Sequence, residues 1–233
     1  MNKIDFAALR DAMVDRQVAG RGVRSHLVLD ALRTVPREAF LPEPLQEFAY
    51  EDSPVPIGEG QTISQPYVVA FMAEALELTL RDRVLEIGAG SGYAAAVLSR
   101  IAAEVYAVER HASLAELASS RLKDLGYDNV RVVHGDGTLG LAKHAPFDAI
   151  IVAAGGPSVP EALRSQLAIG GRLVIPVGAT QQAQELVRVR RIGEHEYRQE
   201  GLGAVRFVPL IGAQGWVGRT RTAGTADTQP FGD

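Results

Sequence analysis

The feature that most constrains the fold is a regular alternation of short apolar segments with amphipathic segments, which begins at Arg83. The apolar segments have the length and composition of buried strands, and the segments between them place apolar residues at helical spacing. The predicted strands are 84–88, 104–109, 130–136, 147–154 and 171–178, and the predicted helices are 93–102, 113–126 and 160–170. Short strands joined by helices form right-handed βαβ units, so we expect an α/β fold with a mostly parallel sheet.

Two further apolar segments, 185–193 and 205–211, follow the last predicted strand without a helix between them. Parallel strands need a long crossover connection, whereas antiparallel strands can be joined by a short turn. We therefore expect these two segments to add an antiparallel pair at one edge of the sheet.

The residues before the alternation predict a different kind of structure. Segments 5–19 and 26–35 carry apolar residues near helical spacing, and Ser25 is placed to cap the second helix, which ends before Pro36. The segment 36–58 is rich in proline and favours an irregular covering layer.

We expect a single domain over residues 1–217, with 1–60 as a helical and irregular covering layer and 61–217 as a cofactor-binding α/β core. A helix over 66–78 would lie at the start of this core. The segment 218–233 is polar, rich in small residues and interrupted by glycine and proline. Because such a segment buries little apolar surface, we expect it to be a disordered tail.

Composition argues against several classes of protein. The 233 residues carry a formal net charge of −4, without the basic excess that is typical of nucleic-acid binding. The chain has no cysteine, no run of about 18 apolar residues and no signal peptide, so we expect a cytoplasmic protein without disulfides or a membrane segment. The histidines form no closely spaced pair, which argues against a metal site. We expect a monomer.

The most distinctive local signal is a glycine loop directly after the first predicted strand. Residues 84–93 read VLEIGAGSGY, and glycines at such a turn let the backbone bend tightly and approach a ligand closely. Tyr93 stands where the dinucleotide pattern GxGxxG has its third glycine, which argues against NAD or FAD. Glu86, inside this apolar strand, would be costly to bury without a cationic or hydrogen-donating ligand.

Acidic residues also stand at the ends of the next two predicted strands. Glu109 lies where an acid can accept hydrogen bonds from both ribose hydroxyls, although a nicotinamide cofactor would use such an acid as well. Asp136, after Gly135, is suited to accept from an adenine amino group. Any one of these acids alone could be a solvated loop charge, but acids at three successive strand ends favour a nucleoside site.

The segment 58–66, GEGQTISQP, fits neither a helix nor a regular strand. It places small hydrogen-bonding side chains between apolar segments, and no histidine, cysteine or lysine stands beside Ser64. From the residues alone, Ser64 could form a turn or cap the helix predicted at 66–78, so its role stays open at this point.

Several segments, in this order along the chain, resemble the protein-L-isoaspartate O-methyltransferase family within the class I S-adenosylmethionine-dependent methyltransferases. These segments are VPREAFLP, PIGEGQTISQP, LEIGAGSGY, HGDG, APFDAIIV, GGRLVIPVG and VRFVPL. The resemblance extends over about residues 10–216, and GQTISQP is its most specific part, because ordinary class I methyltransferases lack it. Many relatives have Ala-Pro-His after the serine, where this chain has Gln65-Pro66-Tyr67.

The resemblance implies a Rossmann-like fold with a seven-stranded sheet, helices on both faces, and S-adenosylmethionine across the carboxyl ends of the strands. It also implies that the sulfonium methyl group passes to the free α-carboxylate of an L-isoaspartyl residue in a damaged protein or peptide. The resulting ester then closes to a succinimide, which reopens partly to normal aspartate.

The resemblance further implies roles for individual residues. Ser64 matches the active-site serine of the family, and we expect it to orient the substrate rather than to form a covalent intermediate. The cofactor-binding residues that it implies are Gln61, Thr62 and Ile63 in the same loop, Glu86, Gly88 and Gly90 at the methionine end, Glu109 at the ribose, and Gly135 and Asp136 at the adenine.

Two other interpretations stay open. A class I methyltransferase that acts on a small-molecule carboxylate or another acceptor would use the same glycine loop and acids, and GQTISQP is what argues against it. A non-catalytic nucleoside-binding module would be favoured by loss of the serine or the acids, and neither is lost. A nucleic-acid methyltransferase is disfavoured because residues 153–160 read AAGGPSVP, without an NPPY-like or DPPY-like motif.

Overall fold

The computed structural model describes residues 4–217, so the predicted disorder of 218–233 lies outside the described residues. The helices and strands are α1 (Phe6–Ala12), α2 (His26–Thr34), β1 (Val55–Gly58), β2 (Gln61–Ile63), α3 (Pro66–Ala75), β3 (Arg83–Ile87), α4 (Tyr93–Ser99), β4 (Glu104–Glu109), α5 (Ala112–Asp124), β5 (Val130–His134), β6 (Phe147–Val152), α6 (Glu161–Ser165), β7 (Leu167–Val177), β8 (Gln184–Arg191) and β9 (Tyr197–Val205). Within this described part, no helix is long and apolar enough to cross a membrane.

Seven strands form one sheet in the order β5-β4-β3-β6-β7-β8-β9. The pairs from β5 to β7 are parallel, whereas β8 and β9 add antiparallel neighbours at one edge. The predicted mostly parallel seven-stranded sheet is therefore confirmed. The chain leaves β3 towards β4 and leaves β6 towards β7, so a crevice opens between the carboxyl ends of β3 and β6, where ligands bind in folds of this kind.

The sheet separates two apolar layers. Alternate residues of a strand point to opposite faces, so Val84 packs with the layer that contains α2, α3 and α4, whereas Leu85 and Ile87 pack with the layer beside α6. This packing on both faces buries the central strands and fixes the position of the loops at their carboxyl ends.

The N-terminal layer is tied to α3. The chain continues from α1 through a π-helical turn at Met13–Val18 and a 3-10 turn at Ala19–Arg21. Ser25 is the N-cap residue of α2 as predicted, but its hydroxyl makes no capping hydrogen bond, so that part of the prediction is wrong. The N–H groups of Arg24 and Ser25 instead donate to Oε1 of Glu74 on α3, at 2.6 and 2.7 Å.

The segment 58–66 contains a strand, contrary to the prediction of an irregular loop. β1 and β2 form an antiparallel hairpin in which Val55 pairs with Ile63. The local signal was weak because the hairpin is short and its pairing partner lies in the proline-rich segment. The hairpin also joins residues from both sides of the boundary that the sequence predicts at residue 60.

The prediction of a helix over 160–170 is wrong in its second half. α6 ends at Ser165, and Leu167 begins β7, where it is fully buried and pairs with Phe147. Gly170 has a φ of +85°, a left-handed conformation that the interior of an α-helix does not allow. Burial of Leu167 in the sheet thus outweighs the helical spacing of its neighbours.

The strand predicted at 205–211 is also misplaced. The edge strand is β9, over Tyr197–Val205, and it follows β8 through a turn in which the N–H of Ile192 donates to the carbonyl of Glu196 at 2.9 Å. This segment is polar and contains glycines, a composition that an edge strand tolerates because it buries few side chains.

The segment 206–211 leaves the sheet and crosses the carboxyl ends of the central strands. The N–H of Gly155 donates to the carbonyl of Val208, and the N–H of Leu210 donates to the carbonyl of Gly155, both at 2.8 Å. Pro209 between them has no N–H to donate to a regular ladder. These contacts bring 206–211 to the crevice at the end of β6.

Candidate active site

A cavity of about 790 Å³, including the part that is open to solvent, lies at the carboxyl ends of β3, β4 and β6. Its walls are the glycine loop after β3, the end of β4, the strand β2 and the segment 208–211. The predicted site residues that line it are Gln61, Thr62, Ile63, Ser64, Glu86, Gly88, Gly90 and Glu109. The structure thus brings together residues that are far apart in the sequence, although their individual roles stay predictions.

The glycine loop forms the floor of the cavity. Gly88 and Gly90 have φ values of +89° and +53°, in the region that favours glycine. A Cβ atom on Gly90 would lie 3.1 Å from Cδ1 of Ile57, which belongs to the hairpin above it. The N–H of Gly88 donates to the carbonyl of Val108 at 2.8 Å and fixes the turn. The loop therefore leaves backbone, not side chain, next to a ligand.

Glu109 is held rigidly at the end of β4. Its Oε2 accepts from the N–H of Gly90 at 2.9 Å, and its Oε1 accepts from the N–H of His111 at 2.9 Å. Each carboxylate oxygen has further lone pairs, which can accept from a ligand in the cavity. This geometry suits an acceptor for two vicinal hydroxyl groups.

Glu86 is the buried acid without a partner. Its side chain is 1% exposed, and its Oε2 has no hydrogen-bond partner among residues 4–217. Burial, and then the charge of Glu109, raises the pKa of the Glu86 carboxyl well above its ordinary value. A buried polar atom of this kind at a cavity wall is a place where a ligand can supply the missing donor or positive charge.

Ser64 lies between β2 and the first turn of α3. The residue at the N-cap position of α3 is Gln65, and no side chain caps this helix, so Ser64 is not a helix cap. The hydroxyl of Ser64 makes no hydrogen bond with any described residue of the chain, whereas Gln65 Nε2 donates to the carbonyl of Asp52 at 3.0 Å. Ser64 is thus positioned by its neighbours, and its hydroxyl is available to a ligand.

The tip of the hairpin is fastened across the cavity. Gly58, Glu59 and Gly60 all have positive φ values, of 99°, 52° and 68°. Oε1 of Glu59 accepts from the hydroxyl of Ser113 at 2.7 Å, and its Oε2 lies 3.7 Å from Nδ1 of His111. These contacts hold β2, and the residues that it contributes to the cavity, against the start of α5.

Gly135 and Asp136 do not line the cavity, although the next residue, Gly137, does. Oδ1 of Asp136 accepts from the N–H and hydroxyl of Thr138 at 2.9 and 2.7 Å, and Oδ2 accepts from the N–H of Ala213 at 2.7 Å. Burial alone would raise the pKa of Asp136, but the hydrogen bonds from Ala213 and Thr138 lower it below its ordinary value. The structure therefore shows Asp136 as the cap of the turn Gly137–Leu139, and its role at an adenine stays a prediction.

Some residues of the cavity were missed from the sequence. His111 lines it, and its Nε2 is buried without a partner among the described residues. The segment 208–211 lines the opposite side. His111 could have been found from its place two residues after the end of the strand at Glu109. The segment 208–211 could have been found from the VRFVPL motif if that motif had not been assigned to a strand.

Comparison with known proteins identifies the family. The model of the family described as Protein-L-isoaspartate(D-aspartate) O-methyltransferase (PCMT) matches residues 8–215. The chain belongs to this family. The match includes the hairpin with Ser64, the glycine loop and the segment 208–211, so it covers every wall of the cavity.

Members of this family are similar to the chain over most of its length. A Protein-L-isoaspartate O-methyltransferase of Rhodopseudomonas palustris is 64% identical over 204 residues, which are 88% of this chain and 94% of the relative. A solved structure of a protein-L-isoaspartate O-methyltransferase is 33% identical, with a TM-score of 0.80, over 88% of this chain and 67% of its own. A putative member from Plasmodium falciparum, solved in complex with S-adenosyl-L-homocysteine, has a TM-score of 0.74 and 24% identity, over 87% of this chain and 98% of its own, and shows the fold alone.

Proposed function

We propose that this protein transfers the methyl group of S-adenosylmethionine to the free α-carboxylate of L-isoaspartyl residues in damaged proteins and peptides. The observation that carries this proposal is the position of Ser64. Its hydroxyl makes no hydrogen bond within the described residues, and the residue lines both the cavity at the glycine loop and a wider groove beside it. A cofactor in the cavity and a polypeptide in the groove would meet there.

The residues of the cavity fit S-adenosylmethionine. Glu109, fixed by two N–H donors, would accept the ribose hydroxyls, and the backbone at Gly88 and Gly90 would lie along the methionine part. The unpartnered oxygen of Glu86 would face the positive charge of the ligand. When bound, S-adenosylmethionine supplies a methyl group on a cationic sulfur, which is reactive without a metal.

The acceptor needs no general base. An α-carboxylate has an ordinary pKa of about 3.3–3.7, so it is already ionised at neutral pH and has no proton to lose. What the protein contributes is the in-line placement of the carboxylate oxygen, the methyl carbon and the sulfur. Such orientation can lower a barrier by about 7–11 kcal/mol.

A neutral donor is better suited to this task than a cation. The charge of the carboxylate falls as the new bond forms, so a tight ion pair would stabilise the ground state more than the transition state. The Ser64 hydroxyl can donate a hydrogen bond that orients the carboxylate without neutralising it. Ser64 therefore acts as a positioning donor that touches the substrate, and the methyl group passes directly to the carboxylate.

We extend the proposal to the state of the protein. Residues 1–217 would act as one domain, in which 1–60 cover the α/β core, and the protein would be a cytoplasmic monomer that does not bind nucleic acid. The supporting observations are the absence of cysteine from the sequence, its net charge of −4, and the hydrogen bonds from Arg24 and Ser25 to Glu74. Sedimentation equilibrium of the full chain would test the oligomeric state.

The decisive experiment for the activity uses two synthetic peptides that differ only in isoaspartate against aspartate at one position. We expect label from methyl-labelled S-adenosylmethionine only on the isoaspartyl peptide, as a base-labile ester. Cofactor binding without methylation of either peptide would contradict the repair activity and favour the alternative, a small-molecule acceptor.

A further inference from the structure

A second, wider depression opens beside the cofactor cavity. It encloses about 2050 Å³, including the part that is open to solvent, and we call it the open groove. The residues common to the cavity and the open groove are Thr62, Ser64, Ala153, Val208 and Pro209. The two spaces therefore meet at Ser64, and any chain that reaches Ser64 from solvent can extend along the open groove.

The open groove is lined by apolar side chains and two arginines. Half-buried apolar side chains of α3, β9 and the segment after β9 line it, and they pack against the main core. Arg21 and Arg206 also line it, and no aspartate or glutamate does so within residues 4–217. Arg21 is paired with Asp52, whose carboxylate lies 2.5 Å from its guanidinium.

Two aromatic rings of α3 form a continuous surface in the open groove. Tyr67 and Phe71 stand four residues apart, so they lie on the same side of the helix, with ring centroids 5.9 Å apart and ring planes 7° from parallel. The guanidinium carbon of Arg21 lies 3.6 Å from the centroid of the Tyr67 ring. We call these three side chains the aromatic stack.

The aromatic stack is fixed relative to Ser64. Arg21 donates to the carboxylate of Asp52 at 2.5 Å, and the backbone carbonyl of Asp52 accepts from Nε2 of Gln65 at 3.0 Å. Gln65 directly follows Ser64. The contacts thus connect the stack to the residue that would orient the reacting carboxylate, which is the arrangement expected where two parts of one ligand are held together.

We propose that the aromatic stack binds an aromatic or large apolar side chain next to the isoaspartyl residue, and so sets which damaged sites are methylated fastest. This inference rests on the proposed function. The isoaspartyl carboxylate belongs to a polypeptide that must leave Ser64 through the open groove, and its flanking side chains then meet the stack. Offset ring packing and apolar burial there favour an aromatic flanking residue over glycine by roughly threefold to tenfold in kcat/KM.

The test compares isoaspartyl peptides that are identical except for phenylalanine or glycine at one flanking position. In one series of peptides the varied residue precedes the isoaspartyl residue, and in the other series it follows it. The ratio of kcat/KM between the phenylalanine and glycine peptides is measured for the wild type and for Tyr67→Ala, Phe71→Ala, Tyr67→Phe and Phe48→Ala. Tyr67→Phe keeps the ring, and Phe48 is an aromatic residue 38% exposed outside both spaces, so it is the matched control.

We expect the ratio in one series to be roughly threefold to tenfold for the wild type, to approach one in Tyr67→Ala and Phe71→Ala, and to persist in Tyr67→Phe and Phe48→Ala. The ratio compares two substrates on the same enzyme preparation. A partial loss of folded protein therefore lowers both values of kcat/KM equally and leaves the ratio unchanged. A wild type without preference in either series, or a ratio that both alanine variants leave unchanged, would overturn the inference while the methylation activity stands. Failure of every isoaspartyl peptide to accept a methyl group would instead overturn the proposed function.

Discussion

Glu86 and Glu109 are buried on neighbouring strands in the wall of one cavity, and only Glu109 is paired with hydrogen-bond donors. Glu109 accepts from Gly90 and His111, whereas Glu86 has an oxygen without any partner in residues 4–217. The two carboxyls therefore differ in their hydrogen-bond partners. Glu109 is an acceptor held in place by two N–H groups. Glu86 is a site where positive charge from a ligand would be stabilised by an unpartnered carboxyl oxygen.

The pKa of Glu86 predicts how stability depends on pH without ligand. Burial and the charge of Glu109 raise the pKa of Glu86 in the folded protein, so the folded state holds its proton more tightly than the unfolded state. Its contribution to stability is present below the unfolded pKa, about 4.3, and is lost as pH rises through the folded pKa. The free energy of unfolding of the wild type should therefore fall between about pH 4 and pH 8 because of this carboxyl. We expect Glu86→Gln to lack this part of the fall, as measured by urea denaturation over the same pH range.

Glu116→Gln provides the control for this comparison, because Glu116 is exposed on α5 and lines neither the cavity nor the open groove. The free energy of unfolding of Glu116→Gln should change with pH as that of the wild type does. Parallel curves for the wild type and Glu86→Gln would contradict the assignment of a raised pKa to this carboxyl.

Glu109→Gln should weaken cofactor binding. A hydrogen bond to a charged group contributes about 1.5–3 kcal/mol, so loss of the charge should raise the dissociation constant of S-adenosylhomocysteine by about 10-fold to 100-fold. Isothermal titration calorimetry measures this constant directly. Glu104→Gln at the opposite end of β4 is the matched control and should leave affinity unchanged. Equal affinities for the two variants would rule out Glu109 as a ligand-binding acid.

Glu59→Ala should speed release of the product S-adenosylhomocysteine. The side chain of Glu59 fastens the hairpin to Ser113 at 2.7 Å, and loss of a hydrogen bond worth about 0.5–1.5 kcal/mol should raise the dissociation rate by about twofold to tenfold. Stopped-flow competition with excess unlabelled ligand measures this rate. Glu51→Ala, an exposed acid near the hairpin, should show the wild-type rate. If Glu59→Ala also releases S-adenosylhomocysteine at the wild-type rate, the hairpin tip does not restrain the ligand.

Arg172→Met should destabilise the fold. The guanidinium of Arg172 donates to the carbonyl of Leu76 at 2.6 Å and to Asp82 at 2.7 Å, and the two side chains are only 11% and 9% exposed. Removing one member of such a buried pair costs about 3–5 kcal/mol, because the charge of Asp82 then stays buried with only the neutral donors of Thr79. Guanidinium denaturation measures the loss, and Arg16→Met on the exposed surface of the N-terminal layer should cost little. A small loss for Arg172→Met would mean that the hydrogen bonds from Thr79 are enough to hold the charge of Asp82.

The parts of the fold that sequence predicted well are those that local pattern determines. The strand 104–109 has the predicted bounds, because its apolar residues are buried between two layers and polar residues flank it. β9 was missed because a polar, glycine-containing segment becomes a strand only through pairing with β8. Leu167 likewise joins the sheet through Phe147, a partner 20 residues earlier in the sequence.

The candidate active site likewise has parts that local sequence predicts and parts that depend on distant contacts. Ser64 and the glycine loop could be located from motifs, since residues close in the sequence form them. The contacts of Asp136 could not be foreseen, because the N–H that donates to its Oδ2 belongs to Ala213, far along the chain. The aromatic stack could not be foreseen either, since Arg21 reaches Tyr67 only after the N-terminal layer has packed against α3.

The most direct test is a single-turnover experiment with enzyme in excess over an isoaspartyl peptide, followed by intact mass spectrometry of both. For the wild type we expect the mass of one methyl group on the peptide and none on the enzyme at every time point. Ser64→Ala should bind S-adenosylhomocysteine normally and transfer the methyl group about 10-fold to 100-fold more slowly, because one hydrogen bond to a charged group is lost. Ser120→Ala on α5 should react at the wild-type rate. Methylated enzyme that forms and decays as the peptide is labelled, or an unchanged rate in Ser64→Ala, would contradict direct transfer oriented by Ser64.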